Sequence, residues 1–99
     1  LTSSIVQFIN ENLFSALTID DIAERFHLSK SHIQNVFCRD MQMGLKSFIL
    51  HKKMAYAKDM LRRGQRPVDV AARLGFADYT TFYRSFVKIN GHPPKHYTK

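Results

Sequence analysis

The stretch from Leu45 to Arg63 constrains the fold of this chain more than any other part of it. It contains no glycine or proline, and its nineteen residues predict a single helix, about 28 Å long at 1.5 Å per residue. Spaced at 100° per residue, its apolar side chains fall on two separate faces, with Lys46 and Lys53 between them. One stripe contains Leu45, Ile49, Tyr56 and Met60, and the other contains Leu50, Met54, Ala57 and Leu61. A helix with two apolar stripes can complete the cores of two small flanking units.

Two such units, at 5–37 and 68–97, have sequences that resemble each other. In each, a short helix with a small residue in its middle is followed by a tight turn and a second helix. Thr18 is predicted to cap the first short helix, while Ser29 and Asp78 are predicted to cap the two second helices. The offset is 48 up to the turn and 49 beyond it, matching Ile22 with Val70, Ala23 with Ala71, Phe26 with Leu74, Leu28 with Phe76, Ile33 with Phe82 and Phe37 with Phe86. This repeated pattern predicts two helix-turn-helix subdomains.

The length of the chain favours one domain in which the two subdomains share the central helix. Either half of the 99 residues is near the size at which a core no longer buries enough apolar surface to fold alone. We therefore predict an all-α fold of about seven helices. Its expected organisation is a first helix-turn-helix subdomain at 1–43, a linker helix at 44–63 and a second helix-turn-helix subdomain at 64–99.

The positive charge is unevenly placed. The net charge is +7, yet residues 1–27 carry one base and four acids, whereas residues 28–66 carry nine bases and two acids. Such asymmetry predicts a basic face directed at a polyanion, and it favours nucleic acid over a membrane because no basic terminal segment is strongly amphipathic. The single cysteine, Cys38, excludes an internal disulfide and fits a protein of the cytoplasm.

The segment from Ala71 to Tyr97 carries the most specific motif. It resembles the signature of the AraC/XylS family of bacterial transcription regulators in Ala71, Gly75, Phe76, Phe82, Arg84, Phe86, Lys88, Gly91, Pro94 and Tyr97. The resemblance covers essentially the whole chain, with two departures: His27 stands where the family usually has glycine, and Lys53 where it commonly has arginine. It implies a DNA-binding domain that presents two recognition helices to adjacent major-groove segments, within a protein that regulates transcription in bacteria.

The geometry of a linker about 28 Å long agrees with that implication, because the major groove of B-DNA repeats about every 34 Å. Residue types that pair with base edges lie on the outward faces of the two second helices, so we predict base contacts from Ser31, Gln34, Asn35, Thr80, Tyr83 and Arg84. Phosphate contacts are predicted for Lys30, His32, Arg39, Lys52, Lys53, Tyr79, Thr81 and Lys88.

Other interpretations of the same residues remain open. The lysines and arginines of the central helix are also typical of a merely solvated face, and Arg84 could instead pair with Asp78 on its own helix. His92 and His96 have the spacing of two metal ligands, but Pro93 and Pro94 intervene and no third ligand is evident. We expect no metal, no cofactor and no catalytic residues, and hence no enzyme.

The expected partner is double-stranded DNA. The acid-rich opening segment, with Glu11, Asp20, Asp21 and Glu24, provides a second candidate surface for the transcription machinery, that is, RNA polymerase. Because the chain begins at Leu1, a sensor or dimerisation domain outside it is also expected. A protein-interaction module and an RNA-binding module are the alternatives, the latter disfavoured because helices cannot enter the deep, narrow major groove of RNA.

Overall fold

The computed structural model describes residues 1–98, and within them all regular secondary structure is helical, with no strand. Six α-helices precede a short 3₁₀ turn at Pro94–Tyr97: α1 (Thr2–Glu11), α2 (Ile19–Phe26), α3 (Lys30–Met41), α4 (Leu45–Arg62), α5 (Pro67–Arg73) and α6 (Tyr79–Asn90). The prediction of an all-α fold with about seven helices is confirmed. The subdomain boundaries at 43/44 and 63/64 stay a prediction.

Local side-chain chemistry explains where the helices begin and end. Thr18 and Asp21 form a reciprocal capping box at the start of α2, and the Ser29 and Asp78 side chains accept backbone N–H groups at the starts of α3 and α6. The three predicted caps are confirmed. His27 ends α2 with φ of 57°, the left-handed conformation that glycine adopts more easily.

Two hydrophobic cores lie one after the other along α4. The first part of α4 contributes Leu45, Phe48 and Ile49 to a core completed by α1, α2 and α3. Its second part contributes Met54, Ala57, Met60 and Leu61 to a core with Val70, Ala71, Leu74, Phe82 and Phe86. The molecule is accordingly elongated, 42 × 22 × 21 Å, and one helix belongs to both cores.

The expected membership of the first apolar stripe is wrong for two residues. Met60 packs in the second core, and Tyr56 is 45% exposed, with its ring edge-on to that of Phe14. The physical reason is length: the second half of α4 lies beyond the reach of the first core. Which of the two cores an apolar residue of α4 joins therefore depends on its position along the helix as well as on the face it occupies.

The two subdomains meet where the α1–α2 connection touches the α5–α6 turn. Gly75 has φ of +81°, and a Cβ there would lie 2.3 Å from the carbonyl carbon of Ser15 and 2.6 Å from the backbone nitrogen of Ala16. Only a residue without a side chain allows two backbones to approach so closely. We call this region, formed by Phe14, Ser15, Ala16, Lys53, Leu74 and Gly75, the inter-subdomain contact.

Replacing Gly75 by alanine tests this contact. Gly91→Ala serves as the matched control, because Gly91 has the same φ of +81° but open space around it. The control is expected to cost about 1 kcal/mol of unfolding free energy for the left-handed conformation. Gly75→Ala is expected to cost about 1–3 kcal/mol more, because the new methyl group overlaps backbone atoms. Urea unfolding followed by circular dichroism measures both, and equal losses would contradict the close approach.

Candidate nucleic-acid interface

Helices α3 and α6 are the second helices of the two helix-turn-helix subdomains, and both present polar faces to solvent. Their inner residues, Ile33 and Phe37 in α3 and Phe82 and Phe86 in α6, are fully buried. This packing fixes the rotation of each helix about its axis, so the opposite face is directed outward. The six residues predicted to contact bases are all exposed: Ser31, Gln34, Asn35, Thr80, Tyr83 and Arg84.

The residues predicted to contact phosphates fall into three groups by exposure. Six are exposed: Lys30, His32, Arg39, Tyr79, Thr81 and Lys88. Lys52 is half-buried, with its ammonium 5.6 Å from the centre of the Phe48 ring in a cation–π arrangement. Two of the exposed bases already pair with acids, since Lys30 lies 3.5 Å from Asp20 and Arg39 lies 3.4 Å from Asp40. Exposed pairs of this kind are weak and can exchange for phosphates.

Lys53 is the exception, and its predicted phosphate contact is incompatible with its position. The residue is 6% exposed, and its Nζ donates to the carbonyl oxygen of Ser15 at 2.7 Å and to that of Leu74 at 2.6 Å. Its ammonium also lies 5.5 Å from the centre of the Phe76 ring. Removal from water lowers the pKa of this ammonium below its ordinary value. A side chain engaged in this way inside the protein is not available to a polyanion.

A groove of about 700 Å³ opens between the two subdomains, and residues of both recognition helices line it. Lys30 reaches it from α3, Thr81 and Lys88 from α6, and Lys46 from the start of α4. Lys46 is exposed and was not among the residues predicted to contact DNA. The sequence nevertheless indicated Lys46. It lies seven residues before Lys53, on the same line between the apolar stripes of α4, and Lys53 was predicted to contact phosphate.

Asp78 caps α6 and does not form an ion pair with Arg84 among residues 1–98. Its carboxylate accepts the backbone N–H of Thr81 at 2.8 Å, and this hydrogen bond, with smaller help from the charge of Arg84, holds the pKa of Asp78 below its usual value. The alternative in which Asp78 engages Arg84 directly is therefore not seen, and Arg84 is exposed.

The two histidines near the end of the chain stack on each other. Their ring centres are 4.1 Å apart, and the planes are nearly parallel at 13°. Within residues 1–98 no group of three or more histidine, cysteine or acidic side chains is arranged to hold a metal ion.

Two capped, outward-facing second helices beside one basic groove define a double helix-turn-helix domain of the kind that binds nucleic acid. A family model described as a helix-turn-helix domain matches residues 22–99. The chain belongs to the AraC/XylS family of transcription regulators and corresponds to its DNA-binding domain, as the sequence motif predicted.

Curated relatives agree over nearly the whole chain. The melibiose operon regulatory protein of Escherichia coli strain K12 is 33% identical over 98 residues, which cover 98% of this chain and 32% of that protein. The multiple antibiotic resistance protein MarA of the same strain is 32% identical over 95 residues, covering 95% of this chain and 75% of MarA. The chain thus spans about a third of the length of the melibiose regulator.

Solved structures support the same fold. The C-terminal domain of the two-component response regulator yesN from Fusobacterium nucleatum superposes with a TM-score of 0.93 at 24% identity, covering 98% of this chain and 96% of that one. The DNA-binding domain of AdpA, a global transcriptional factor solved in complex with a target DNA, superposes with a TM-score of 0.87 at 21% identity, covering 97% and 87%. At these identities the likeness establishes the fold.

The helices contain no membrane span. Even α4, the longest at 18 residues, is too highly charged to cross a bilayer, and no other helix within residues 1–98 qualifies.

The Asp78 cap makes the start of α6 sensitive to acid. Because folding lowers the pKa of Asp78, its stabilising contribution is present above the ordinary aspartate value of 3.8 and is lost as pH falls through the lowered value. Asp78→Asn keeps a capping oxygen that does not titrate in this range. We expect the unfolding free energy of the wild type, minus that of Asp78→Asn, to decrease as pH falls from neutral into this acidic range. Thermal unfolding of both proteins across this pH range measures the difference. If the unfolding free energies of the two proteins changed in parallel with pH, the capping role of Asp78 would be contradicted.

Proposed function

We propose that this domain binds double-stranded DNA sequence-specifically, with α3 and α6 in two adjacent major-groove segments on one side of the duplex. The observation that supports this most directly is the groove shared by Lys30 of α3 and Lys88 of α6, because it places flanking residues of both recognition helices on one basic surface. The linker α4 has 18 residues and hence a length of about 27 Å, close to the repeat of the major groove.

Base reading is proposed for the exposed residues of α3 and α6 that can form paired hydrogen bonds. Gln34 and Asn35 have amides that suit adenine, Arg84 has a guanidinium that suits guanine, and Thr80 has a methyl group that suits thymine. Ser31 and Tyr83 complete this set. The phosphate contacts are proposed for Lys30, His32, Arg39, Lys52, Tyr79, Thr81 and Lys88, which position the protein without reading sequence. We remove Lys53 from the proposed phosphate contacts and add Lys46, because Lys46 is exposed and lines the same groove.

The biological setting is proposed from the relatives. Melibiose regulation and antibiotic resistance are properties of the proteins that carry those names, so only the general role is transferred: regulation of bacterial transcription in the cytoplasm, without catalysis by this domain. Because the chain covers 32% of the melibiose regulator, we propose a parent protein with a further sensor or dimerisation domain. RNA polymerase is the proposed protein partner, and the acid-rich segment between Glu11 and Glu24 is the surface proposed to contact it.

Selection of bound duplexes from a random pool tests the proposed function. The expected result is two short conserved blocks separated by about one helical turn, because each recognition helix reads one block. A single block would mean that only one subdomain reads bases. Enrichment without any shared sequence, or equal binding to RNA duplexes, would favour the alternative of a protein-interaction or RNA-binding module.

Two alanine substitutions separate base reading from phosphate binding. Arg84→Ala is expected to cost about 1–3 kcal/mol on the selected duplex and to relax the preference at one base pair. Lys52→Ala is expected to weaken binding to selected and random duplexes alike, and to reduce the slope of log K against log salt by about 1. Fluorescence anisotropy titrations at several salt concentrations measure both. Equal losses on both duplexes for Arg84→Ala would remove Arg84 from the base-reading set.

A further inference from the structure

The buried ammonium of Lys53 joins three parts of the chain that belong to both subdomains. It lies on α4 between Ile49, which packs in the first core, and Met54, which packs in the second. One of its acceptors, the carbonyl of Ser15, is in the connection that leads into α2, and the other, the carbonyl of Leu74, is at the end of α5. A carbonyl at a helix end has no partner within its helix, so the ammonium satisfies it.

The same region contains the closest backbone approach between the subdomains. Gly75 rests against Ser15 and Ala16, and only three residues separate Gly75 from Tyr79, the first residue of α6. At the outer edge, the Phe14 ring contacts Tyr56 on one side and lies 5.9 Å from the guanidinium of Arg73 on the other. The inter-subdomain contact thus consists of two hydrogen bonds from the Lys53 ammonium, a contact between backbones at Gly75, and the Phe14 ring at its edge.

This placement couples the contact to the recognition helices. The segment at Ser15 leads directly into α2, against which α3 packs, and the turn at Gly75 leads directly into α6. A change in the separation of these two segments therefore changes the separation and relative rotation of α3 and α6. Hydrogen bonds from a charged donor are stronger than neutral ones, and a buried ammonium that lost one of its two acceptors would remain desolvated with only one hydrogen bond. The arrangement therefore resists small displacements.

We propose that Lys53 is a positioning residue that fixes the distance between the two recognition helices and thereby restricts the domain to DNA sites with one spacing between their two blocks. The DNA part of this inference rests on the proposed function. Lys53 itself touches no DNA. It acts through Ser15 and Leu74, so its replacement alters which spacings are accepted rather than which bases are read.

Three substitutions on α4 distinguish this role from a merely structural one. Lys53→Met keeps the unbranched apolar stem but removes every donor, whereas Lys53→Arg keeps a positive charge with several N–H donors. Lys52→Met, one residue away, is the matched control, because Lys52 does not take part in the inter-subdomain contact. Circular dichroism confirms that each variant is folded before it is compared.

The first measurement needs no DNA. Cys38 on α3 is exposed and is the only cysteine, so nitroxide labels at Cys38 and at position 88 in a Lys88→Cys background report the separation of α3 and α6 by electron–electron resonance. We expect a narrow distribution of label-to-label distances in the Lys88→Cys background itself, and also when Lys53→Arg or Lys52→Met is added to it. Adding Lys53→Met is expected to give a clearly broader distribution. If Lys53→Met does not fold, Lys53→Gln, which removes the charge but keeps a polar head group, replaces it. A narrow distribution in the folded variant overturns the proposal.

The second measurement uses a duplex selected from a random pool by the wild type, with and without one base pair inserted between its two blocks. The insertion rotates one block by about 35° relative to the other and is expected to weaken wild-type binding at least about tenfold. Lys53→Met is expected to lose less than about threefold on the same insertion, whereas Lys52→Met loses affinity for both duplexes and keeps the wild-type ratio. A wild-type ratio in Lys53→Met overturns the proposal. If the wild type selects no two-block duplex, the proposed function fails, and the distance measurement still decides the role of Lys53.

Discussion

Shared burial of α4 is the constraint on which the rest of the structure depends. The first group of helices, α1 to α3, and the second, α5 and α6 with the 3₁₀ turn, are each near the lower limit of size at which apolar burial offsets the loss of chain entropy. By providing Phe48 and Ile49 to one group and Ala57 and Leu61 to the other, α4 closes both cores without a second long helix. The two cores therefore meet end to end on one rod, and the orientation of each recognition helix is determined by how its group packs on that rod.

Positive charge in this domain serves two distinct purposes that composition does not separate. Lys46 and Lys53 lie on the same line of α4 and both line the groove, yet Lys46 is exposed, whereas Lys53 is 6% exposed and donates to two backbone carbonyls. The difference follows from position along the helix: Lys46 lies near the open end, and Lys53 lies where the two subdomains touch. One cation is available to attract a polyanion, whereas the other holds protein segments together.

The helices and their caps were predictable because they depend on local chemistry. The repeated pattern of the two units and the spacing in the central stretch located α2, α3, α4, α5 and α6, and Thr18, Ser29 and Asp78 marked three of their starts. The outward faces of α3 and α6 followed from the same spacing once Phe37 and Phe86 were assigned to the core. The two hydrogen bonds of Lys53 were not predictable, since they join residues 38 and 21 positions apart. The tight approach at Gly75 likewise depends on packing between segments that the sequence does not relate.

The backbone contact between Gly75 and Ser15 gives the α1–α2 connection an unusual status. Surface connections ordinarily accept insertions and deletions between homologous proteins, because few contacts depend on their length. Here a residue added near Ser15 or Ala16 would push directly on the turn before α6, so this short stretch behaves as framework rather than as a tolerant loop. Variation in length should be confined to connections such as the one at Gly44, where the surrounding space is open. Evolution of new operator preferences would then proceed by exchanging side chains on α3 and α6 while the separation between them is inherited unchanged.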